Sequence, residues 1–401
     1  MIPIKIHPDL IQRVLSDSDQ NPARLSYSLL VYMIVVVFLI TLIPFQFSIP
    51  ENFAISTSGP LNDIITNILF FLPIGFLLRL SQKPGSDSAC LLALVLGITV
   101  SLSVEACQLF IPGRSPTISD VVTNGLGAWI GAVIAVSVRR KMNPADTHGM
   151  FAPELPLMSL MYLTFPLMLL NSLAAGDETD RLWLLFLLGI FGSGVIASVY
   201  TNLLNEEKRL KFTVLSLLVM GWFVTASIPV LLIYPRVIFG FGLVIALFVQ
   251  IPARLARNSL KEGRRFELPT LKKLLPVYLI YLILLATWPT TVPLNEWGHT
   301  VNFGGLNFSE RNTFIFRFVE MIAAFTLFGF IIAEMRGRKK ESLFKTLLIV
   351  FLIIFFSSTT LQILIANSLM IPAIFMEPAF ITVAGLFGAV IYRRQLSAIR
   401  R

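Results

Sequence analysis

The chain is written in apolar runs separated by short polar segments. Runs of about twenty residues, the length that crosses a hydrocarbon core of about 30 Å, fall at 28–46, 62–80, 89–111, 117–138, 155–173, 182–203, 212–234, 236–253, 274–290, 314–334, 344–367 and 371–392. This pattern predicts an all-α, polytopic membrane helix bundle of about 12 transmembrane helices. The seventh and eighth runs are divided only by Tyr234-Pro235-Arg236, so the count rests on their being separate helices. The polar segments set the orientation. With a cytoplasmic N-terminus, 27 of the 32 Lys and Arg residues lie in inner segments, and Arg114, Arg181, Arg236, Arg311 and Arg317 lie outside. An alternation that holds to both ends is the positive-inside bias, and it puts the C-terminus in the cytoplasm too.

The last quarter of the chain repeats the first. Gly75-Phe76 and Gln108 align with Gly329-Phe330 and Gln362 at an offset of 254. After three inserted residues, Gly131-Ala132-Val133-Ile134 aligns with Gly388-Ala389-Val390-Ile391 at 257. Both copies hold four spans and start from the same side, so the repeat is parallel, about an axis along the membrane normal. The predicted organisation is a cytoplasmic segment 1–27, a four-helix domain 28–141, a central four-helix region 142–273 and a degenerate second copy 274–401. The central glycines, Gly189, Gly192, Gly194, Gly240 and Gly242, have small-residue spacing suited to helix packing.

The first copy concentrates polar residues that a bilayer disfavours. A charged side chain at the centre of a membrane helix costs about 2.5–3.5 kcal/mol on insertion scales, so such residues are functional candidates by default. Here they are Asp63, Asn67, Glu105, Gln108, Arg114, Asp120 and Asn124, and the predicted topology gathers all seven at the outer ends of spans two to four. Glu105 and Gln108 share a face at i, i+3; Asp120, Asn124, Gly127 and Gly131 form one stripe. Gly127 and Gly131 allow close helix contact, as does Gly75, and Pro73 interrupts the second span. Local explanations also exist. Asp120, with Thr117 and Ser119, suits a helix start; Arg114 suits pairing with Glu105; Asn67 suits a bridge between helices. In the second copy, positions 63, 67, 105 and 124 become Arg317, Met321, Thr359 and Ile381, and Glu377 stands opposite Asp120.

Composition agrees with a membrane body: 55% hydrophobic, 14% charged, mean hydropathy +0.78, against about 25% charged residues in soluble domains. The net charge of +9 does not point to nucleic acid, because the basic residues follow the loops. Cys90 and Cys107 share one predicted helix, about 25 Å apart at 1.5 Å per residue, too far to bridge. His7, His148 and His299 are scattered, so neither a metal nor a cofactor is expected. No cleavable signal peptide is expected, since about 25 mostly polar residues precede the first run. Within them Ile2, Ile4, Ile6, Leu10, Ile11, Val14 and Leu15 suit an interfacial amphipathic piece.

The run from Asn67 through Pro73 to Gly75, followed by Glu105-x2-Gln108-x5-Arg114-x5-Asp120-x3-Asn124-x2-Gly127-x3-Gly131, resembles the VanZ-like family of bacterial membrane proteins over about residues 40–138. The resemblance implies cell-envelope work in the bacterial cytoplasmic membrane. The family's namesake is associated with resistance to the glycopeptide teicoplanin, and relatives occur as domains of larger envelope proteins. Some members carry a further acid between the Arg and Asp positions; Thr117 stands near that place here.

Three functions compete. The first is a binding or remodelling protein that holds the headgroup of a lipid-linked glycan or a phospholipid, with Arg114 on phosphate and Glu105, Gln108 and Asn124 on hydroxyl or amide groups. The second is an enzyme acting on such a lipid, with Glu105 and Asp120 sharing base and electrostatic roles and Arg114 stabilising transferred charge. The third is a lipid transporter or flippase, although transporters keep ionisable residues near the midplane. Envelope-biosynthesis proteins are the expected partners.

Overall fold

The computed structural model describes residues 22–42, 47–49, 56–57, 61–82, 88–141, 153, 155, 157–203, 212–251, 266–287, 308–336, 342–369 and 376–399. The three histidines, the N-terminal amphipathic stretch and most of the basic loop 254–273 lie outside them, as do the side chains of Arg317 and Glu377.

Among the described residues the protein is all helical. In chain order the helices are α1 (Pro22–Thr41), α2 (Leu61–Ser81), α3 (Ala89–Gln108), α4 (Ile118–Lys141), α5 (Met158–Asp177), α6 (Leu182–Leu203), α7 (Phe212–Ala226), α8 (Ile228–Leu231), α9 (Pro235–Phe248), α10 (Glu267–Thr287), α11 (Phe308–Arg336), α12 (Leu343–Leu369) and α13 (Met376–Ile399). Every expected span falls on a helix. Eight of them, α2 to α6 and α10 to α12, are long and apolar enough to cross a membrane, and their outer faces expose large apolar side chains such as Leu91, Leu102, Trp183 and Phe356. This is a multi-pass membrane protein.

The seventh and eighth runs do form separate helices, but the break differs from the expected one. α7 ends at Ala226, one residue before Ser227, whose Oγ donates to the Phe223 carbonyl (2.7 Å). α9 begins at Pro235, a position where the missing N–H costs nothing. The two pack as an antiparallel pair: Ser216 Oγ donates to Ala246 O (2.8 Å), and Gly242 lies against Met220 and Val224. At 15 and 14 residues they extend only about 22 and 21 Å at 1.5 Å per residue, less than the expected runs.

The chain divides into two compact units, residues 6–155 and 156–397, so the central helices and the second copy belong to one unit. In the first unit, α2 and α4 lie side by side and run the same way. Their contact is backbone on backbone: a Cβ at Gly127 would overlap the Ile68 carbonyl, one at Gly131 the Leu72 carbonyl, and one at Gly75 the Ala128 carbonyl. Pro73 sits inside α2 beside this contact. α3 runs against α4, with Gly125 on Leu94 and Ile98, and Gly97 on Ala128.

In the second unit, α11 and α13 make the same crossing. A Cβ at Gly329 would overlap the Gly385 carbonyl, and one at Gly388 would meet Thr326 O and Phe330 N, where Gly131 meets Leu72 O and Phe76 N. Every pair is displaced by 254 on one helix and 257 on the other. Among the central glycines, Gly189 packs on Phe223 and Ile245, Gly192 on Trp222 and Gly194 on Leu274, whereas Gly240 faces open space.

Candidate functional site

The site forms where α2 and α4 begin and α3 ends, and it is built around one turn. After α3 the chain reverses through residues 109–117, closed by the amides of Leu109, Phe110, Ile111 and Arg114 on the carbonyls of Glu105, Cys107, Gln108 and Ile111. Gly113, at φ 78°, supplies the left-handed step. The segment before α2 then lies along this turn. Ser56 pairs with Thr117 in a parallel bridge: its amide donates to Pro116 O (2.9 Å) and its carbonyl accepts the Ile118 N–H (3.1 Å).

In such a bridge the bonds use the residues on either side of Thr117, so its own N–H points the other way. It donates to Glu105 Oε2 at 3.0 Å. Glu105 is buried, at 8% exposure, and a charge-assisted bond of this kind offsets part of the cost of holding a carboxylate there. Thr117 also caps α4: its Oγ1 accepts the Asp120 N–H (3.2 Å) and shares a hydrogen bond with Ser119 Oγ (3.1 Å), and Ser119 Oγ donates to Asp120 Oδ1 (3.4 Å). Thr117 thus binds the Glu105 carboxylate through its amide and reaches the Asp120 carboxylate only by way of Ser119 Oγ.

One turn deeper, Asn124 Nδ2 donates to Ser101 Oγ at 2.8 Å, both buried. Ser101 lies four residues before Glu105, and Asn124 four after Asp120, so this pair forms the layer beneath the carboxylates. Asn124 Oδ1 has no hydrogen-bond partner among the described residues, nor does the buried Asn67 Nδ2 of α2. Gln108 parts from Glu105 and donates its Nε2 to the Thr41 carbonyl at the end of α1 (2.9 Å). Asp63 and Arg114 are exposed; Asp120 and Arg114 both act electrostatically on Asp63 and on Glu105. All seven polar residues singled out in the sequence therefore lie at one end of the unit. Gly75, Gly127 and Gly131 hold the two helices that carry four of them.

Residues 13–139 match the VanZ/LLP1 family model. No curated protein and no solved structure matched the chain. The VanZ-like segment contains every polar residue of the site and all of α1, which carries the Thr41 acceptor of Gln108. Partners that the sequence did not reveal are Ser101, the Thr117 amide and the Thr41 carbonyl. Ser101 had a signal, its place one turn before Glu105; the other two are backbone groups. Among the described residues no group of three or more His, Cys, Asp or Glu is arranged to hold a metal.

Outside the VanZ-like segment lies a second polar cluster, in the other unit, where the sequence suggested plain packing. Arg181, assigned to an outer loop by charge counting, is buried. Its Nη2 meets Glu320 Oε2 of α11 at 2.6 Å and its Nε meets Glu178 at 3.6 Å. Asn171 of α5 donates Nδ2 to the Tyr281 hydroxyl of α10 beside them (2.9 Å). Glu320 has no exposure at all. In α11 and α13, by contrast, the counterparts of Asn67 and Asn124 are buried Met321 and Ile381, so these two described positions of the second copy are apolar.

Proposed function

We propose that this protein works in the bacterial cytoplasmic membrane, with both termini inside and twelve crossings arranged as two VanZ-like copies around a central region. In that reading it holds the headgroup of a phospholipid or lipid-linked envelope molecule at the outward-facing end of α2, α3 and α4. The matching displacement of the α2–α4 and α11–α13 contacts supports the duplication. The observation that carries the binding reading is the fixed, buried Glu105 carboxylate, oriented by a backbone amide and grouped with Asp63, Asp120 and Arg114. Polar groups grouped at the edge of a membrane bundle suit a ligand that itself sits at that edge, and the exposed apolar side chains of Ile118, Val122, Leu126 and Trp129 continue down α4 from the site as a wall for acyl chains.

The test is mass spectrometry of lipids that copurify with wild type and with Arg114→Ala, Glu105→Gln and Asp120→Asn, each recovered from the membrane. Wild type should carry a lipid class that the variants lose; identical lipid profiles refute the reading. A new product in vesicles would make the site catalytic instead. The family resemblance extends the reading to teicoplanin resistance, checked by comparing susceptibility of cells that express wild type or Glu105→Gln.

A further inference from the structure

The charge balance of the site restricts its ligand. The sequence has no Lys, Arg or His from residue 25 to 78, and between Lys83 and Arg139 the only one is Arg114. At this end of the unit Arg114 acts electrostatically on Asp63 and Glu105, as does Asp120, which makes three carboxylates to one guanidinium. Unlike charges attract and like charges repel, more strongly where water is sparse, so a lone phosphate meets one partner and three opponents. A ligand that brings a cation and an anion together meets both.

The hydrogen-bond inventory points the same way. Asn124 is 5% exposed, lies one turn beneath Asp120 on the same face, and keeps Oδ1 without a partner after its Nδ2 is used on Ser101. A buried acceptor left unmade costs about 1–3 kcal/mol, and the group that satisfies it must carry an N–H or O–H. A primary ammonium has three such donors and a positive charge for Glu105 and Asp120. Asn67 Nδ2, a buried donor without a partner on the neighbouring helix, and Arg114 supply what a phosphate requires.

We propose that the site recognises a zwitterionic phosphate–ammonium headgroup, of the phosphoethanolamine type, with the ammonium on Glu105, Asp120 and Asn124 Oδ1 and the phosphate on Arg114 and Asn67. The inference rests on the headgroup-binding reading and adds the chemical class. Native mass spectrometry of the purified full-length protein tests it, titrating dioleoyl phosphatidylethanolamine, phosphatidylcholine and phosphatidylglycerol. Phosphatidylethanolamine should bind at least about tenfold more tightly than either other lipid, since phosphatidylglycerol lacks the cation and phosphatidylcholine lacks N–H donors. Glu105→Gln, which keeps an acceptor for the Thr117 amide, and Arg114→Ala, on an exposed turn, should each remove most of that preference or affinity. Phosphatidylglycerol or phosphatidylcholine binding as well as phosphatidylethanolamine overturns the ammonium assignment and leaves headgroup binding intact. Binding of none of the three overturns this inference together with the phospholipid form of the reading, and leaves a lipid-linked envelope molecule as its ligand. Soluble O-phosphoethanolamine, added as competitor, should displace the lipid at higher concentration; equal affinity would make the source a free zwitterion with the same recognition.

Discussion

Replacing Glu105 separates its structural role from its charge. Its Oε2 accepts the Thr117 amide at 3.0 Å, with the side chain 8% exposed. Gln keeps an acceptor in the same place, so the bond changes from charge-assisted to neutral, a loss of about 1–1.5 kcal/mol. Removing a negative charge beside Asp63 and Asp120 offsets part of that loss. Ala removes the acceptor altogether and leaves a part-buried N–H unmade, which adds about 1–3 kcal/mol, together with the lost contacts of the side chain. Glu105→Ala should thus weaken the turn by about 2–4 kcal/mol and Glu105→Gln by about 1 kcal/mol or less. Hydrogen–deuterium exchange in nanodiscs, read on residues 109–118, measures this directly. With tenfold per 1.4 kcal/mol, exchange at the Thr117 amide should rise about thirtyfold or more in the Ala variant and less than about tenfold in the Gln variant. Amides in the middle of α4, such as Ala128 and Ala132, should not change. Wild-type protection of Thr117 in Glu105→Ala would refute the claim that this carboxylate is fixed by that amide.

Gly131→Ala and Gly75→Ala place a methyl group on backbone carbonyls, which cannot rotate aside; each should lower thermal stability in detergent by about 1–3 kcal/mol, whereas Gly240→Ala, facing open space, should be neutral or stabilising by up to about 1 kcal/mol. Gly113→Ala forces a side chain into φ 78° and should cost about 1–2 kcal/mol, seen as faster exchange in the same turn. Arg181→Met strands the unexposed Glu320 and should destabilise by about 3–5 kcal/mol, while Arg181→Met combined with Glu320→Leu should recover most of it; a double variant as unstable as the single one would contradict the pairing.

The helices were legible because apolar run length is a direct measure of what a bilayer requires. Their ends were less so: α7 stops at Ala226, inside a run that stays apolar to Tyr234, because hydropathy does not register a helix break at Ser227, whereas α9 starts at Pro235, where the two runs were divided. The gathering of Asp63, Asn67, Glu105, Gln108, Arg114, Asp120 and Asn124 followed from topology alone. What their side chains touch did not. Shared helical faces suggested common partners for Glu105 and Gln108, yet one binds the Thr117 amide and the other the Thr41 carbonyl. Backbone groups leave no trace in residue type. The burial of Arg181 was missed for a different reason: counting loop charges gives a residue's side of the membrane but not its exposure, and its partner Glu320 lies 139 residues away.

That separation bears on how the protein is made. When α6 leaves the ribosome, Glu320 has not yet been synthesised, so Arg181 has only the acids of its own turn, Asp177, Glu178 and Asp180, and should stay at the headgroup level. Its withdrawal into the protein interior waits until α11 has been inserted. A nascent chain halted at about residue 300 should therefore keep Arg181 open to a water-soluble guanidine-modifying reagent, and the finished protein should shield it.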